Sequence, residues 1–204
     1  MRRVLLIFLS LVLALVGGSA VYAEDGFYVI PIVKKSPPVV LNAPVPKTGQ
    51  TTCYGTRDDG ALRMGVAWPT PRFTDNQNGT VTDKLTKLIW MKKANAFGTK
   101  TWDDALTTAN GLKSGDAGTG LNDASQAGNW RLPNVRELQS LVDYGRSMPA
   151  FSGVPPFTGV QYNHYYWSST NFGGSAWYVD FNYGGVWYNG SLALYYVWPV
   201  RGGK

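Results

Sequence analysis

Apolar and polar positions fall into four successive patterns along this chain. Residues 4–16 are almost wholly apolar, with Arg2 and Arg3 before them and small residues from Gly17 to Ala20 after them. Residues 24–50 show no period beyond a short apolar run at 28–33, and Pro37, Pro38, Pro44 and Pro46 interrupt them. Such a stretch reads as an extended arm or tether. Helical spacing then appears twice. Trp102, Ala105, Leu106 and Ala109 follow at i, i+3, i+4 and i+7 behind Thr101 as cap, with Asn110-Gly111 as the stop. Val135, Leu138, Leu141 and Val142 form a second stripe behind Asn134, with Glu137 completing a capping box and Gly145 as the expected stop.

The remaining pattern has period two. Residues 72–75 and 80–83 flank Asn78-Gly79, a hairpin signal, and 87–91 is another apolar run. Near the end, residues 166–169, 176–182, 186–189 and 195–200 predict four short strands, with turns at Gly173-Gly174 and Gly184-Gly185. Pro199 inside the last one predicts an edge or a bulge. Two helices among many antiparallel strands make an α+β domain. Alternation places Trp177, Val179 and Phe181 on a core face, continued by Val186 and Tyr188. It places Tyr178, Asp180 and Asn182 on the other face, with Trp187 and Asn189 opposite them.

The opening pattern has the three parts of a secretory signal peptide, with cleavage expected after Ala23. Its apolar run is shorter than the ~20 residues that a membrane-spanning helix needs. The mature chain is therefore expected to be exported, to the periplasm, cell surface or medium, without a membrane span. It divides into an arm at 24–50 and one domain at 51–204. Loss of Arg2 and Arg3 lowers the formal charge from +6 to +4. With no basic stripe, nucleic acid is not an expected partner. Cys53 is the sole cysteine, so no internal disulfide forms; its thiol is either inert or pairs with another chain.

The catalytic inventory is thin. His164 is the only histidine, Glu137 is used by its cap, and no serine sits in a nucleophile elbow. No catalytic residue is assigned. Asp75-Asn76-Gln77-Asn78-Gly79 lacks the alternating ligands of a calcium loop and reads better as a hairpin turn, so no cofactor or metal is assigned, with calcium the alternative.

What stands out is the last 44 residues, with four of the eight Trp and eight of the twelve Tyr. Their only charged side chains before Lys204 are Asp180 and Arg201. Tyr and Trp supply stiff contact area, and Ser, Asn and Gly supply adaptable hydrogen bonds. The segment reads as a binding surface, made by Asn171, Phe172, Tyr178, Asp180, Asn182, Trp187, Asn189 and Ser191, with Leu192 and Leu194 on its rim. The expected ligand is a glycan or a cell-surface protein. A salt-sensitive affinity for acidic polymers would instead point to Lys84, Lys87, Lys92 and Lys93.

Several strings also resemble, in order, a bacterial family. They are Arg72-Phe73-Thr74-Asp75-Asn76 through Asn78-Gly79-Thr80-Val81-Thr82-Asp83, then Leu85-Thr86-Lys87-Leu88-Ile89-Trp90, Trp102 with Ala105, and Trp130-Arg131-Leu132-Pro133-Asn134 with Glu137-Leu138. Tyr166-Trp167-Ser168-Ser169-Thr170 and Tyr195-Tyr196-Val197-Trp198-Pro199-Val200-Arg201-Gly202 complete the set. Together they resemble the Lcl C-terminal-like domain family, named after the C-terminal domain of a collagen-like adhesin. The resemblance implies a C-type-lectin-like fold, with paired N- and C-terminal strands, two flanking helices and a ligand surface near the C-terminus. That fold is similar to those of formylglycine-generating enzymes and of retroelement-diversified display proteins. The founding adhesin binds sulfated glycans and promotes attachment. A diversified display protein, or an envelope enzyme, is thus the alternative role. Unlike many relatives, this chain has Ala96 where they have Cys, no Cys near Asp116 or Ala117, and no collagen-like repeat. It also has no cysteine after Cys53, where the enzyme-like relatives use them.

Overall fold

The computed structural model describes residues 21–23, 26–28, 45–153 and 155–202. It divides into a unit ending at Leu41 and a unit beginning at Asn42. In the first, β1 (Val21–Ala23) and β2 (Gly26–Tyr28) form an antiparallel pair. The rest of the expected signal peptide and the arm from 29 to 44 lie outside the described residues. No helix among those described is long and apolar enough to cross a membrane.

The second unit is α+β. It contains α1 (Asp59–Leu62), β3 (Phe73–Asp75), β4 (Thr80–Asp83), β5 (Ile89–Met91), β6 (Thr99–Lys100) and α2 (Trp102–Gly111). These are followed by α3 (Val135–Gln139), β7 (Tyr165–Phe172), β8 (Ser175–Asp180), β9 (Val186–Gly190), β10 (Tyr195–Tyr196) and β11 (Val200–Arg201). A four-stranded sheet runs β11-β5-β4-β3, and a five-stranded sheet runs β6-β10-β7-β8-β9. Between the strands of these two sheets pairing is antiparallel except for the β10–β7 partnership of Tyr196 with Tyr166.

Local chemistry explains the elements. Gly79 (φ +82°) makes the β3–β4 turn, and a Cβ there would lie 2.3 Å from the Gly120 carbonyl oxygen, so only glycine fits. Asp75 accepts from Gln77 N at 2.9 Å and Lys92 Nζ at 2.7 Å, which uses this loop as a turn. Thr101 caps α2, and Asn134 with Glu137 caps α3 by the reciprocal pair of bonds expected. Arg131 adds two 2.7 Å bonds to the Glu137 carboxylate.

α3 ends at Gln139, six residues before the Gly145 stop expected from the stripe. Leu141 N and Val142 N reach back only three residues, and Asp143 N and Tyr144 N turn to Ala150 and Thr48. Tertiary partners there replace helical ones. Residues 45–50 of the expected arm are hydrogen-bonded to this unit. Lys47 N donates to Val66 O at 3.0 Å, and Trp68 Nε1 donates to Lys47 O at 2.8 Å.

The strand expected over 195–200 is two strands in different sheets. Tyr195–Tyr196 belongs to the larger sheet and Val200–Arg201 to the smaller. Pro199, with no N–H to offer a ladder, lies in the crossing. Just before it, Trp198 is fully buried and donates to Met91 O at 2.8 Å. Its ring has Trp90, Phe151, Phe157, Tyr166 and Phe181 within 5.1 to 5.8 Å, or 5.9 Å for Phe151. A second, smaller core lies between α2 and the larger sheet, from Ala105, Ala109, Leu132, Trp167, Ala176 and Val197.

Among the described residues one ion pair has both side chains buried. Arg72 Nε and Nη2 donate to the two oxygens of Asp83 at 3.0 and 2.8 Å, and Nη2 also donates to Ser140 O at 2.8 Å. Asp83 further accepts from Leu85 N and the Thr86 hydroxyl, both at 2.9 Å. The guanidinium lies over Trp68 and Phe73.

Candidate functional site

The aromatic end of the molecule is built on β8 and β9. Asp180 N donates to Gly185 O and Gly184 N to Asp180 O, which closes the connection between them. Gly184 (φ +79°) has no room for a side chain, since a Cβ would lie 2.7 Å from Val142 Cγ1. Gly185 serves a different need: a Cβ would lie 2.6 Å from Trp187 Nε1, so its bare backbone is the seat of that indole. The register pairs Tyr178 with Trp187 and Trp177 with Tyr188.

β9 is an edge strand of the five-stranded sheet. Trp187 is 62% exposed, Tyr188 57% and Phe172 67%. They stand on opposite faces. Trp187 shares its side with Tyr178 and Trp167, its neighbours across the ladder. Tyr188 lies on the other side, against Trp177 at 5.4 Å and Phe172 at 6.2 Å. Leu192, 84% exposed, and Leu194 follow β9 on the surface.

The ladder has the expected alternation, but exposure does not follow it. Tyr188, expected in the core, is exposed because an edge strand has a neighbour on one side only. Trp177 is half-buried and belongs to neither core, whereas Val179 and Phe181 are fully buried as expected. Tyr178, expected on an open platform, packs against the smaller core beneath α2. Its ring lies 4.7 Å from both Tyr165 and Tyr195. Burial, then the neighbouring Tyr195 and Tyr165 hydroxyls, pushes the Tyr178 hydroxyl above the ordinary tyrosine range. Tyr165 and Tyr195 complete this cluster unforeseen: Tyr165 falls just before the strand expected from 166, and Tyr195 reaches Tyr178 only because β10 pairs with β7, a partnership no local pattern announces.

Other expected site residues also have internal work. β8 ends at Asp180, so Asn182 sits in the turn. Its N–H donates to Asp180 Oδ1, and its carbonyl accepts from Met148 N and Ala150 N. The structure therefore does not bring Asn182 to the face of Trp187. Asn189 Nδ2 donates to the Tyr195 hydroxyl at 2.7 Å, and its Oδ1 accepts from Gly190 N at 2.8 Å. Ser191 fastens the strand end, its N–H to Gly174 O and its carbonyl accepting from Trp102 N. Asn171 pairs with Ala176, in a row with Asn189.

The main chain of β9 is only half used. The bonds from Asp180 N to Gly185 O and from Ser191 N to Gly174 O set the phase of the antiparallel ladder. In that phase Trp187 and Asn189 turn their N–H and C=O groups toward β8. Val186 and Tyr188 turn theirs away from the sheet, with no hydrogen-bond partner among the described residues.

A cavity of about 660 Å³ lies elsewhere, between the β3–β4 turn, Lys92, Lys93 and the 118–120 loop. Its lysines are engaged, Lys92 with Asp75 and Lys93 Nζ with Gly118 O at 3.0 Å. Size alone does not outweigh the exposed aromatics. His164 is exposed, its ring edge-on to Tyr196 at 5.4 Å. Cys53 is exposed, its thiol donating to Gly55 O. Among the described residues no three His, Cys, Asp or Glu side chains gather where a metal ion could be held.

A family model described as the Lcl C-terminal domain matches residues 79–201. No curated protein and no solved structure matches the chain.

Proposed function

The chain belongs to the Lcl C-terminal domain family, and on that premise we propose that it is an exported, non-catalytic binding module with a C-type-lectin-like fold. Its ligand is a glycan or a cell-surface protein, held at the edge of the larger sheet. The observation that carries this reading is the exposure of Trp187, Tyr188 and Phe172 on a low-charge sheet end. Aromatic area of that extent is costly to leave in water unless something covers it. Low charge makes stacking and short-range hydrogen bonds the source of affinity, with little dependence on salt. His164, edge-on to a tyrosine with no carboxylate hydrogen-bonded to it among the described residues, gives no support to acid–base chemistry.

The test is a glycan array and a panel of purified extracellular proteins, probed with the chain from Glu24 and with its Trp187→Ala variant. Binding that disappears in a variant melting at the same temperature supports the site. Binding retained by the folded variant moves it elsewhere. Export is checked separately, by N-terminal sequencing of the protein recovered outside the cytoplasm, with Glu24 expected first.

A further inference from the structure

We infer that β9 is a docking strand for an extended, uncharged peptide segment of a partner protein, which adds a sixth strand to the larger sheet. This names the partner class of the binding site above and rests on that reading.

Three observations converge. The first is the pair of residues, Val186 and Tyr188, whose N–H and C=O groups point off the edge without partners among the described residues. Such groups are a ready template for another strand. The template is bounded at its far end, where Gly190 N is taken by Asn189 Oδ1 and Gly190 O by Ala193 N.

The second is what the edge lacks. Sheets protect their edges with charge, proline or bulges. The other edge strands of this unit each carry a charged residue: Lys100 in β6, Asp75 in β3 and Arg201 in β11. β9 reads Val-Trp-Tyr-Asn-Gly, with neither charge nor proline. An unguarded edge that is also the most aromatic one is the edge that fits a partner.

The third is the disposition of side chains. A glycan on Trp187 needs nearby polar side chains to orient its hydroxyls. Asn189 has both amide atoms engaged, and Asp180 Oδ1 is taken by Asn182 N. These side-chain groups beside Trp187 are thus taken, whereas the outward main-chain groups of Val186 and Tyr188 have no partner among the described residues, which suits a polypeptide. An added strand would send alternate side chains to opposite faces. One set would meet Trp187, and the other would meet Tyr188 and Phe172. Between Gln161 and Val200 the only charged side chain is Asp180, so nothing there complements a charged peptide.

The experiment selects peptides from a phage-displayed random dodecapeptide library on the immobilised chain. A selected peptide is then synthesised and its affinity measured by calorimetry. Replacing Tyr188 by Ala removes the ring, and Tyr188→Pro removes the ring and the outward N–H. Tyr188→Pro is expected to bind about tenfold more weakly than Tyr188→Ala, the worth of one main-chain hydrogen bond. N-methylation of the peptide at alternate residues is expected to cost about tenfold or more, and at the intervening residues little. This scan leaves the protein unchanged, so the test stands even if Tyr188→Pro does not fold. An affinity indifferent to the methylation pattern overturns the proposal, and so does a library that yields no binder. A concentration-dependent dimer seen by sedimentation and abolished by Tyr188→Pro overturns it too, since the occupant is then a second copy. Glycan binding lost in Trp187→Ala but kept in Tyr188→Pro would leave the binding site standing and remove the peptide.

Discussion

Replacing Asp83 by Ala should be among the most damaging single changes to this fold. The Asp83 side chain is 0% exposed and that of Arg72 5%, so the pair is withdrawn from water. Truncation removes the acceptor of four hydrogen bonds, two from Arg72, one from Leu85 N and one from the Thr86 hydroxyl. It leaves a buried guanidinium with the Ser140 carbonyl as its remaining acceptor. Breaking a buried pair on one side costs about 3–5 kcal/mol. For a domain of this size each kcal/mol lowers Tm by roughly 2–4 °C, so a fall of about 6–20 °C is expected. The assay is urea denaturation of the chain from Glu24, followed by tryptophan fluorescence, with a thermal melt beside it. The double replacement Arg72→Met with Asp83→Leu should recover much of the loss, because no uncompensated charge is left inside. A single variant destabilised by less than about 1 kcal/mol would refute the reasoning. So would a double variant worse than the single one.

Trp187→Ala should change unfolding free energy by no more than about 0.5 kcal/mol, since its indole lies outside both cores, and urea titration measures this. Gly185→Ala should displace the Trp187 indole, whose Nε1 would be 2.6 Å from the new methyl group. One indole cross-peak should move in a ¹⁵N correlation spectrum while those of the buried tryptophans stay. Burial holds the Tyr166 hydroxyl well above the ordinary value of 10.0, and burial with neighbouring tyrosines raises that of Tyr178. The unfolded chain ionises these groups first. Their contribution to stability is therefore complete below pH 10.0 and is lost progressively as pH climbs past it toward the folded-state values. Absorbance at 295 nm, read beside circular dichroism, should show part of the tyrosine signal rising only with unfolding. A full titration before any loss of structure would contradict this.

Local signals were legible in the sequence because their causes are local. Asn78-Gly79 made its turn, and Thr101 and Asn134 capped their helices as their positions predict. The end of α3 was not legible. The apolar stripe continues through Leu141 and Val142, both buried, although the helix has stopped. A core-facing pattern reports burial, not the hydrogen bonds that decide where a helix ends. The face assignment failed for a related reason. Alternation sorts residues into two faces and correctly paired Tyr178 with Trp187. It cannot reveal that both faces of this sheet are covered near its centre, one by the main core and one by α2. Exposure is set by strand order, and strand order is not written in any one segment. Hence Tyr178 is half-covered, while Tyr188 stands in water.

Trp198 carries a consequence for how the molecule is made. Its indole bonds to Met91 O across 107 positions and touches aromatic rings drawn from both sheets. A chain emerging residue by residue has no keystone for its central cluster until that indole arrives. Before then Trp90, Phe157 and Phe181 have nowhere dry to go. Contacts so distant in order make for slow folding. Folding of this domain is therefore expected to wait on the arrival of the Trp198 indole and not to proceed one sheet at a time.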